Sequence, residues 1–565
     1  MASEIARRLL PFLTWPRLDG ASIRRDLMAG IAVSLLAVPQ SMAYAQLAGV
    51  PAHYGLYAAF IPSIVAVLFG SSAILSTGPV ALTSLLTAAS VGQLAPAGSG
   101  QFIAYVTLLA LLSGVFQFGL GLARAGVLVN LLSHPVLMGF INAAALLIAL
   151  SQLPAMTGIA AQSGGSFLID VWRQMLRADS LHWLTLGLSM LALALLAGFR
   201  RFAPRAPGVL VMVITLTALS YAIGYEARGG RVVGSIPVGL PGFAVPDTSW
   251  QAVVALLPAA FIIALISFME AMSSCKVIAI RTRMRWDVNQ ELIGQGLAKI
   301  AAGFCQSMPV SGSFSRSALN LSVHAKTGWS ALFASGFVLL TLLFLTPLFR
   351  HLPQPALAAM IIMAVVNLFD FGAMRRAWLA NRDDGIAAVL TFAATLIFAP
   401  NIQVGILTGV LFSLGAFIFR RMSPRTAVSV TSTIAGGDSG VSETSHDDGV
   451  RVLRFDAALF FGNVSFFEDA VRRLEEDFPR LHTIAVDASG INSIDASAVE
   501  MIRGLAARLR ESGVRLEFFG VKPQFTEVAA RTGLLREIGE ENISAGSKIS
   551  APRPSSSATG PGANK

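Results

Sequence analysis

Charged residues and cysteines are scarce in this sequence. Charged side chains make up 13% of the 565 residues and hydrophobic ones 54%, whereas a soluble domain carries about a quarter charged residues. This deficit excludes an ordinary soluble protein over most of the chain and predicts a membrane protein. The two cysteines, Cys275 and Cys305, lie in or beside apolar segments, so no disulfide framework is expected.

Motifs for enzymatic chemistry are also missing. The sequence has no Gly-x-x-x-x-Gly-Lys phosphate-binding loop, no metal-spaced His/Cys cluster and no nucleophile elbow, so we expect neither an enzyme nor a bound cofactor or metal. The net charge of +10 does not indicate nucleic-acid binding, because the arginines stand in short clusters between apolar segments. Residues 1–25 are expected to form a basic cytosolic arm rather than a signal peptide.

Apolar segments of roughly spanning length follow one another over residues 26–422, which predicts an α-helical polytopic membrane domain of fourteen spans. The predicted spans are 27–48, 52–69, 76–90, 102–122, 128–151, 181–199, 207–224, 252–275, 289–304, 314–323, 330–348, 355–369, 386–400 and 402–420. An even number of spans puts both termini on one side. The arginine-rich loops indicate that this side is cytoplasmic, with a bacterial inner membrane as the expected location.

The third and tenth predicted spans are too short to cross a hydrocarbon core of ~30 Å at ~1.5 Å per residue. Each begins with a hydroxyl-rich stretch, STGPVALTSLL from Ser76 and SGSFSRSALN from Ser311. They lie seven spans apart, and this odd offset predicts two halves of inverted orientation, about 24–224 and 250–421. Interrupted helices at matching positions of inverted repeats indicate a transporter substrate site.

Ionisable side chains inside the predicted spans are few. Glu270, in LISFMEAMSS, and Arg316, in SGSFSRSALN, are the main ones, and such residues are costly and usually functional. Two interpretations stay open: a structural ion pair between them, or an Arg316 that neutralises a bound anion while Glu270 carries a proton. Helix N-termini meeting near Arg316 would add free N–H groups for the anion. Lys299 is expected to extend its side chain to the membrane interface.

The first span contains the stretch AVPQSMAYAQLAG. Pro39 is expected to break this helix and to free backbone groups that Gln40 and Ser41 could satisfy. Tyr44 lies one turn after Gln40, so both side chains face the same way.

The chain after residue 422 has the composition of soluble protein. Residues 423–447 are rich in Ser, Thr, Gly and Asp and are predicted to form a linker. Strand-like and amphipathic helical segments alternate over 448–545, which predicts a small α/β domain with helices on one sheet. The Ser/Pro/Gly-rich tail, 546–565, is predicted to be disordered.

Two long stretches carry a family resemblance. VPQSMAYAQLAGVPAHYGLYAAFIPSIVAVLFGSS with STGPVALTS, and DVNQELIGQGLAKIAAGFCQSMPVSGSFSRSALN, resemble the SulP sulfate-permease family of anion transporters. The soluble segment resembles a STAS domain, the usual C-terminal partner. The resemblance implies a seven-plus-seven inverted repeat with core and gate domains, alternating access, a homodimer, and possible cytosolic partners of the STAS domain.

By motif position, the resemblance implies a central anion site at Gln40, Tyr44, Val80, Ser315 and Arg316. No residue of this set is implied to hold a metal.

The resemblance also bears on coupling and regulation. Glu270 matches the membrane carboxylate of proton-coupled members, whereas sodium-coupled bicarbonate members tend to have an aspartate and neighbouring hydroxyls. Ser267, Ser273 and Ser274 leave that choice open. SIDASAVEM resembles the loop that carries a phosphorylatable serine in soluble relatives; Ser497 is the candidate, although Ala496 and Ala498 replace the usual Ser and Gly.

These features favour secondary active transport of an inorganic oxyanion, with sulfate–proton symport as the leading interpretation. Dicarboxylate or bicarbonate transport and electroneutral anion exchange stay open, because an arginine and helix dipoles recognise charge rather than shape. A membrane sensor that signals through its STAS domain without transport is a different class. The paired half-helices, Glu270 and Arg316 argue against it, since a sensor needs no anion site at the midplane.

Overall fold

The computed structural model describes residues 10–15, 19–127, 133–159, 167–176, 181–203, 206–246, 249–422, 426–430 and 449–546. The chain forms two compact units, Met1–Ser413 and Leu414–Lys565. The division lies close to the boundary that the sequence predicts at residue 422. About half of the basic arm, much of the predicted linker and the tail from residue 547 lie outside the described residues.

Within the described ranges, a helix occupies each of the fourteen intervals that were predicted to span the membrane. The helices as far as residue 422 are α1 Gly20–Leu47, α2 Ala52–Phe69, α3 Ala81–Val91, α4 Gly100–Leu122, α5 His134–Ser151, α6 Leu153–Thr157, α7 Phe167–Met175, α8 Trp183–Phe202, α9 Gly208–Ala222, α10 Trp250–Thr282, α11 Val288–Phe304, α12 Phe314–Ser322, α13 Trp329–Leu340, α14 Gln354–Val365, α15 Phe371–Ala380, α16 Arg382–Ile397 and α17 Ile402–Met422. In this part of the chain, nine helical segments are long and apolar enough to cross a membrane. The count of fourteen spans stays a prediction.

Helix α1 shows how local sequence sets the helix bounds. Asp19 precedes it, and the Asp19 carboxylate accepts a hydrogen bond from Ser22 N at 2.7 Å, which satisfies one of the free N–H groups of the first turn. Hydrogen bonding from Ser22 also holds the pKa of Asp19 below its usual value. The prediction that Pro39 breaks this helix is wrong, because α1 continues through it to Leu47. Proline removes one N–H donor, and membrane helices tolerate that loss where neighbouring helices, here α2 and α13, pack against them.

Two three-residue strands pair inside the first unit. Strand β1, Ser76–Gly78, runs antiparallel to β2, Ser311–Ser313, with Ser76 opposite Ser313 and Gly78 opposite Ser311. Two residues, Pro79 and Val80, separate β1 from helix α3, and α12 begins directly after β2. The strand pair therefore brings together the N-termini of the two short helices that the sequence predicts as interrupted spans.

The second unit is built on a five-stranded sheet of order β3–β4–β5–β6–β7. Its strands are β3 Thr426–Val430, β4 Val450–Phe455, β5 Thr483–Asp487, β6 Arg515–Phe519 and β7 Ile543–Ser544, and its helices are α18 Val464–Asp477, α19 Ala496–Glu511, α20 Pro523–Arg531 and α21 Leu534–Ile538. Strand β3 is antiparallel to β4, and the other neighbours are parallel. Part of the predicted linker is therefore an edge strand.

Apolar residues of the strands and helices form the core of this second unit. Phe455 and Phe518 of the sheet meet Phe467 of α18, Leu505 of α19 and Phe525 of α20 in one buried cluster. Helices connect the parallel strands, as parallel pairing requires. The small α/β domain that the sequence predicts is confirmed.

Candidate functional site

A cavity of about 580 Å³ lies beside the β1–β2 pair, within the first unit. Gln40 and Tyr44 of α1, Val80 before α3, and Ser315 of α12 line it, and Glu270 of α10 lies in the same wall. Most other residues of the wall are apolar. Four of the five residues implied as an anion site thus share one cavity with the predicted proton-coupling residue.

Gln40 connects two of the predicted residues. Its Nε2 donates to the Tyr44 hydroxyl at 2.9 Å, and its Oε1 accepts a hydrogen bond from Arg316 Nη1 at 3.3 Å. All three side chains are buried, with 8%, 5% and 1% of their surface exposed for Gln40, Tyr44 and Arg316. One turn of helix separates Gln40 from Tyr44, as the sequence predicts, so α1 places both toward the arginine.

Arg316 lies behind the strand pair rather than in the cavity wall. Its Nη1 also donates to the Pro79 carbonyl at 3.0 Å, and its Nε donates to Ser76 Oγ at 3.4 Å. Its Nη2 has no hydrogen-bond partner among the described residues. The described contacts use Nε and Nη1, and the N–H₂ group of Nη2 can still donate to a further acceptor.

A glycine makes room for this guanidinium. A Cβ placed on Gly78 would come within 2.9 Å of Arg316 Nη2, closer than side chains normally approach. Gly78 is the last residue of β1. The STGP sequence therefore lets the backbone of β1 run directly over the arginine.

The N-terminus of α3 also offers hydrogen-bond donors for an anion. Val80 is the residue before the helix, and its side chain does not cap it, so the first N–H groups of α3 find no side-chain acceptor in the described structure. At α12, Ser313 Oγ accepts from the backbone N–H of Arg316 at 3.4 Å. Free N–H groups and the helix dipole favour an anion next to α3.

Glu270 is not paired with Arg316. The side-chain hydrogen bonds of Arg316 go to Ser76, Gln40 and Pro79, and Glu270 Oε2 is buried without a hydrogen-bond partner in the described part of the chain. The structural ion pair, one of the two interpretations left open by the sequence, is therefore absent. Glu270 stays a carboxylate on the cavity wall with an unused oxygen.

The prediction that Lys299 extends to the membrane interface is wrong. Lys299 is fully buried; its Nζ donates to Ser267 Oγ at 2.7 Å and to Gln117 Oε1. Helix α11 packs against α4, which carries Gln117, and against α10, which carries Ser267. These two oxygen acceptors retain the ammonium inside the bundle.

A second group of polar residues holds β1 in place. The sequence analysis did not connect these residues to the site. Glu291 accepts hydrogen bonds from the backbone N–H groups of Ser71 at 2.9 Å and Ser72 at 3.0 Å. Gln295 Nε2 donates both to Glu291 and to Thr77 Oγ1, at 3.0 and 2.8 Å. Two polar residues four positions apart in an apolar helix were the available signal.

Ser497 lies in the second unit, far along the chain from the cavity residues. It is exposed at the second position of α19, and Asp495 caps that helix by accepting from Ala498 N at 2.8 Å. A regulatory role for Ser497 stays a prediction.

Comparisons with known proteins identify the family of the chain. The model of the sulfate permease family matches residues 23–391, and that of the STAS domain matches residues 442–548. The chain is 33% identical to the chloroplastic sulfate transporter 4.1 of Arabidopsis thaliana, over 94% of this chain and 80% of that protein. It is also 33% identical to a probable sulfate transporter of Mycobacterium tuberculosis, over 92% and 93% of the two chains.

Among solved structures, the inward-facing murine Solute Carrier 26 family member A9 anion transporter superposes with a TM-score of 0.88 at 22% identity, covering 96% of this chain and 93% of that one. This likeness concerns the fold. The family match covers well over half of the chain and includes both interrupted helices. The chain is a multi-pass membrane protein that belongs to the sulfate permease family and carries a C-terminal STAS domain.

Proposed function

We propose that this protein transports an inorganic oxyanion by alternating access, and that it carries sulfate together with protons. The observation that carries the proposal is the connection of Tyr44, Gln40 and Arg316 beside the cavity where α3 and α12 begin. The names of the two curated relatives, both sulfate transporters, support sulfate as the substrate.

The anion would be held by charge and by N–H groups together. Arg316 supplies a buried positive charge with Nη2 unused, and the uncapped first turn of α3 supplies backbone donors. Charge-assisted hydrogen bonds of this kind are roughly twice as strong as neutral ones. Interrupted helices that face each other across inverted repeats hold the substrate of many secondary transporters.

Glu270 would couple the anion to a proton. Its carboxylate interacts electrostatically with Arg316 and has an oxygen without a partner among the described residues. A divalent anion that takes up the charge of Arg316 removes support from the ionised carboxylate, which then favours a proton. Binding of anion and proton is thereby linked, and by reciprocity acid pH tightens anion binding.

The cavity is also compatible with a second class of substrate, the dicarboxylates. Its volume of about 580 Å³ lies within the range of sites for small organic ligands, and most of its wall is apolar. A dicarboxylate would therefore find space there as well as sulfate or bicarbonate. The substrate has to be decided by direct competition among these anions.

The proposal includes the setting of the transporter. We place it as a homodimer in a bacterial inner membrane with both termini in the cytoplasm. The STAS domain, which has a hydrophobic core of its own, would face the cytoplasm and could receive regulatory partners there.

Uptake into proteoliposomes tests the proposal. Labelled sulfate, bicarbonate and succinate are each offered with and without an inward proton gradient and with and without sodium. We expect sulfate uptake that a proton gradient accelerates and sodium leaves unchanged. Uptake that requires sodium, or that needs only a counter-anion, would replace symport by one of the alternatives. A folded protein that transports none of the three anions would support the sensor.

A further inference from the structure

The sequence reasoning and the proposed mechanism leave one buried charge without a role. Lys299 is fully buried, and both hydrogen-bond acceptors that its ammonium contacts are neutral: Ser267 Oγ at 2.7 Å and Gln117 Oε1. Among the described residues, no carboxylate forms an ion pair with it. A buried ammonium costs several kcal/mol of lost hydration, and two neutral acceptors offset only part of that cost.

Lys299 does not line the anion cavity and is connected to it only through neighbouring residues. Ser267, which accepts from its ammonium, is bonded through its carbonyl to Ser311 Oγ of β2 at 2.8 Å. Ile266, the residue before Ser267, and Ser313, the last residue of β2, both line the cavity. Among the described residues, no hydrogen bond joins Lys299 to a residue of the cavity wall, so its influence on an anion there acts through its electric field.

The carboxylate with which Lys299 interacts electrostatically is Glu270, which also interacts with Arg316. Among the described carboxylates of the first unit, Glu291 and Asp26 are fully buried, and both accept backbone N–H groups away from the cavity. Glu291 binds the loop at Ser71, and Asp26 binds the backbone at Lys326. Around the cavity, two cations and one ionised carboxylate leave one positive charge in excess, and a proton on Glu270 leaves two.

We propose that Lys299 sets the charge preference of the cavity, so that the site favours a divalent over a monovalent oxyanion. This inference rests on the proposed anion transport and identifies its specificity-determining residue. In a medium of effective dielectric constant ~20, a unit charge about 10 Å away changes the affinity of a monovalent anion about tenfold and that of a divalent anion about a hundredfold. The ratio of the two affinities therefore changes about tenfold for each charge removed or added.

Calorimetric binding of sulfate and of nitrate, a monovalent oxyanion, tests this rule on purified full-length protein. The measurements are made near neutral pH, below the ordinary pKa of a lysine and above that of a glutamate. Lys299→Met removes the charge at similar side-chain length, and Lys299→Arg retains the charge as a matched control. We expect Lys299→Met to lower the sulfate-to-nitrate affinity ratio about tenfold and Lys299→Arg to leave it near the wild-type value.

A compensating variant separates charge from packing. Glu270→Gln removes a negative charge, so it should raise the ratio about tenfold, and the double variant Lys299→Met with Glu270→Gln should return it to the wild-type value. A merely structural Lys299 would lower both affinities by the same factor, and the second substitution would restore nothing. Should Lys299→Met not fold, Lys299→Gln can still hydrogen-bond to Gln117 and Ser267 and removes the same charge.

The outcomes distinguish the two levels of the argument. Wild-type protein that binds neither sulfate nor nitrate contradicts the proposed function itself. Wild-type protein that binds sulfate, together with a Lys299→Met or Lys299→Gln variant of unchanged affinity ratio, overturns only the role of Lys299. A tenfold fall that Glu270→Gln reverses establishes it.

Discussion

The side-chain oxygen of Gln40 accepts a hydrogen bond from Arg316 Nη1 at 3.3 Å. Because an amide has one oxygen and one nitrogen, this contact leaves Nε2 facing the Tyr44 hydroxyl, to which it donates at 2.9 Å. Gln40 therefore links Arg316 to a hydroxyl group in the cavity wall, that of Tyr44.

Arg316→Ala should abolish measurable anion binding and leave a folded protein. Removing one member of a buried charge pair costs about 2–5 kcal/mol of binding energy, which corresponds to roughly 30-fold to several-thousand-fold in affinity. Calorimetry on the purified variant measures the loss, and Arg316→Lys shows how much a cation of different geometry recovers. Wild-type affinity in Arg316→Ala would assign the arginine a structural role.

Gln40→Leu should weaken anion binding about fivefold, because it frees Arg316 Nη1 and the Tyr44 hydroxyl from their shared partner, and a typical hydrogen bond contributes about 1 kcal/mol. Ser41→Ala is the matched control on the same helix. Ser41 is buried, and its hydroxyl has no partner among the described residues. Equal effects of the two substitutions would mean that the loss comes from disturbing α1 rather than from the Gln40 bridge.

Gly78→Ala should displace the guanidinium, because the new Cβ would lie 2.9 Å from Arg316 Nη2. We expect a loss of anion affinity similar in direction to that of Arg316→Ala, with the helical signal in circular dichroism retained. Gly119→Ala is the control, since a Cβ at Gly119 meets nothing within 4 Å and alanine suits a helix interior better than glycine. Unchanged binding in Gly78→Ala would show that the arginine can shift without consequence.

Glu270→Gln should still bind and exchange sulfate but lose acceleration by an inward proton gradient. At zero membrane potential, a gradient of one pH unit is worth about 1.4 kcal/mol per coupled proton and can drive about a tenfold accumulation. Proteoliposome accumulation, compared between wild type and variant with and without the gradient, measures this. A variant that accumulates sulfate as strongly as the wild type would exclude Glu270 as the proton carrier.

The second unit should fold when produced alone, because its core is formed by its own strands and helices. A fragment of residues 426–546 should be more stable to urea than one of residues 449–546, since only the longer one can pair β3 with β4. A few net backbone hydrogen bonds amount to roughly 1–3 kcal/mol. Identical unfolding midpoints would show that β3 contributes nothing to the sheet.

The complementary fragment, residues 1–422, should retain the anion site. The residues of the cavity wall lie between Leu36 and Leu368, so none belongs to the second unit. Sulfate binding to the purified fragment is the measurement. A fragment that is folded by circular dichroism and yet binds no anion would require a contribution from the second unit to the site.

The local features of the site could be predicted from the sequence, and its long-range contacts could not. Short apolar length and clustered Ser, Gly and Pro identify α3 and α12 as interrupted helices, and helical spacing places Gln40 and Tyr44 on one face. The β1–β2 pair was not predicted, because three-residue strands carry no alternation. The remaining contacts of the site depend on pairing between segments that are distant in the chain.

The errors at Lys299 and Pro39 have a common physical origin. Whether a lysine reaches the interface or stays inside depends on the acceptors that other helices place near it, here Gln117 and Ser267. Whether a proline breaks a helix depends on the neighbours that support it. Neither can be read from residues adjacent in the chain. One of the two interpretations that the sequence left open paired Arg316 with Glu270, whereas Arg316 hydrogen-bonds to Gln40.

The strand pair β1–β2 imposes an order on biosynthesis. Arg316 lies 240 positions after Ser76, to which it donates. At about 5–20 residues per second, the ribosome needs on the order of 10–50 s to supply β2 and the arginine after β1 has been made. During that interval the backbone N–H and C=O groups of β1 lack their hydrogen-bond partners in β2, which is costly in a membrane. With the anion-binding role proposed for Arg316, the newborn chain acquires its anion site only after β2 and α12 have been made and have packed against β1.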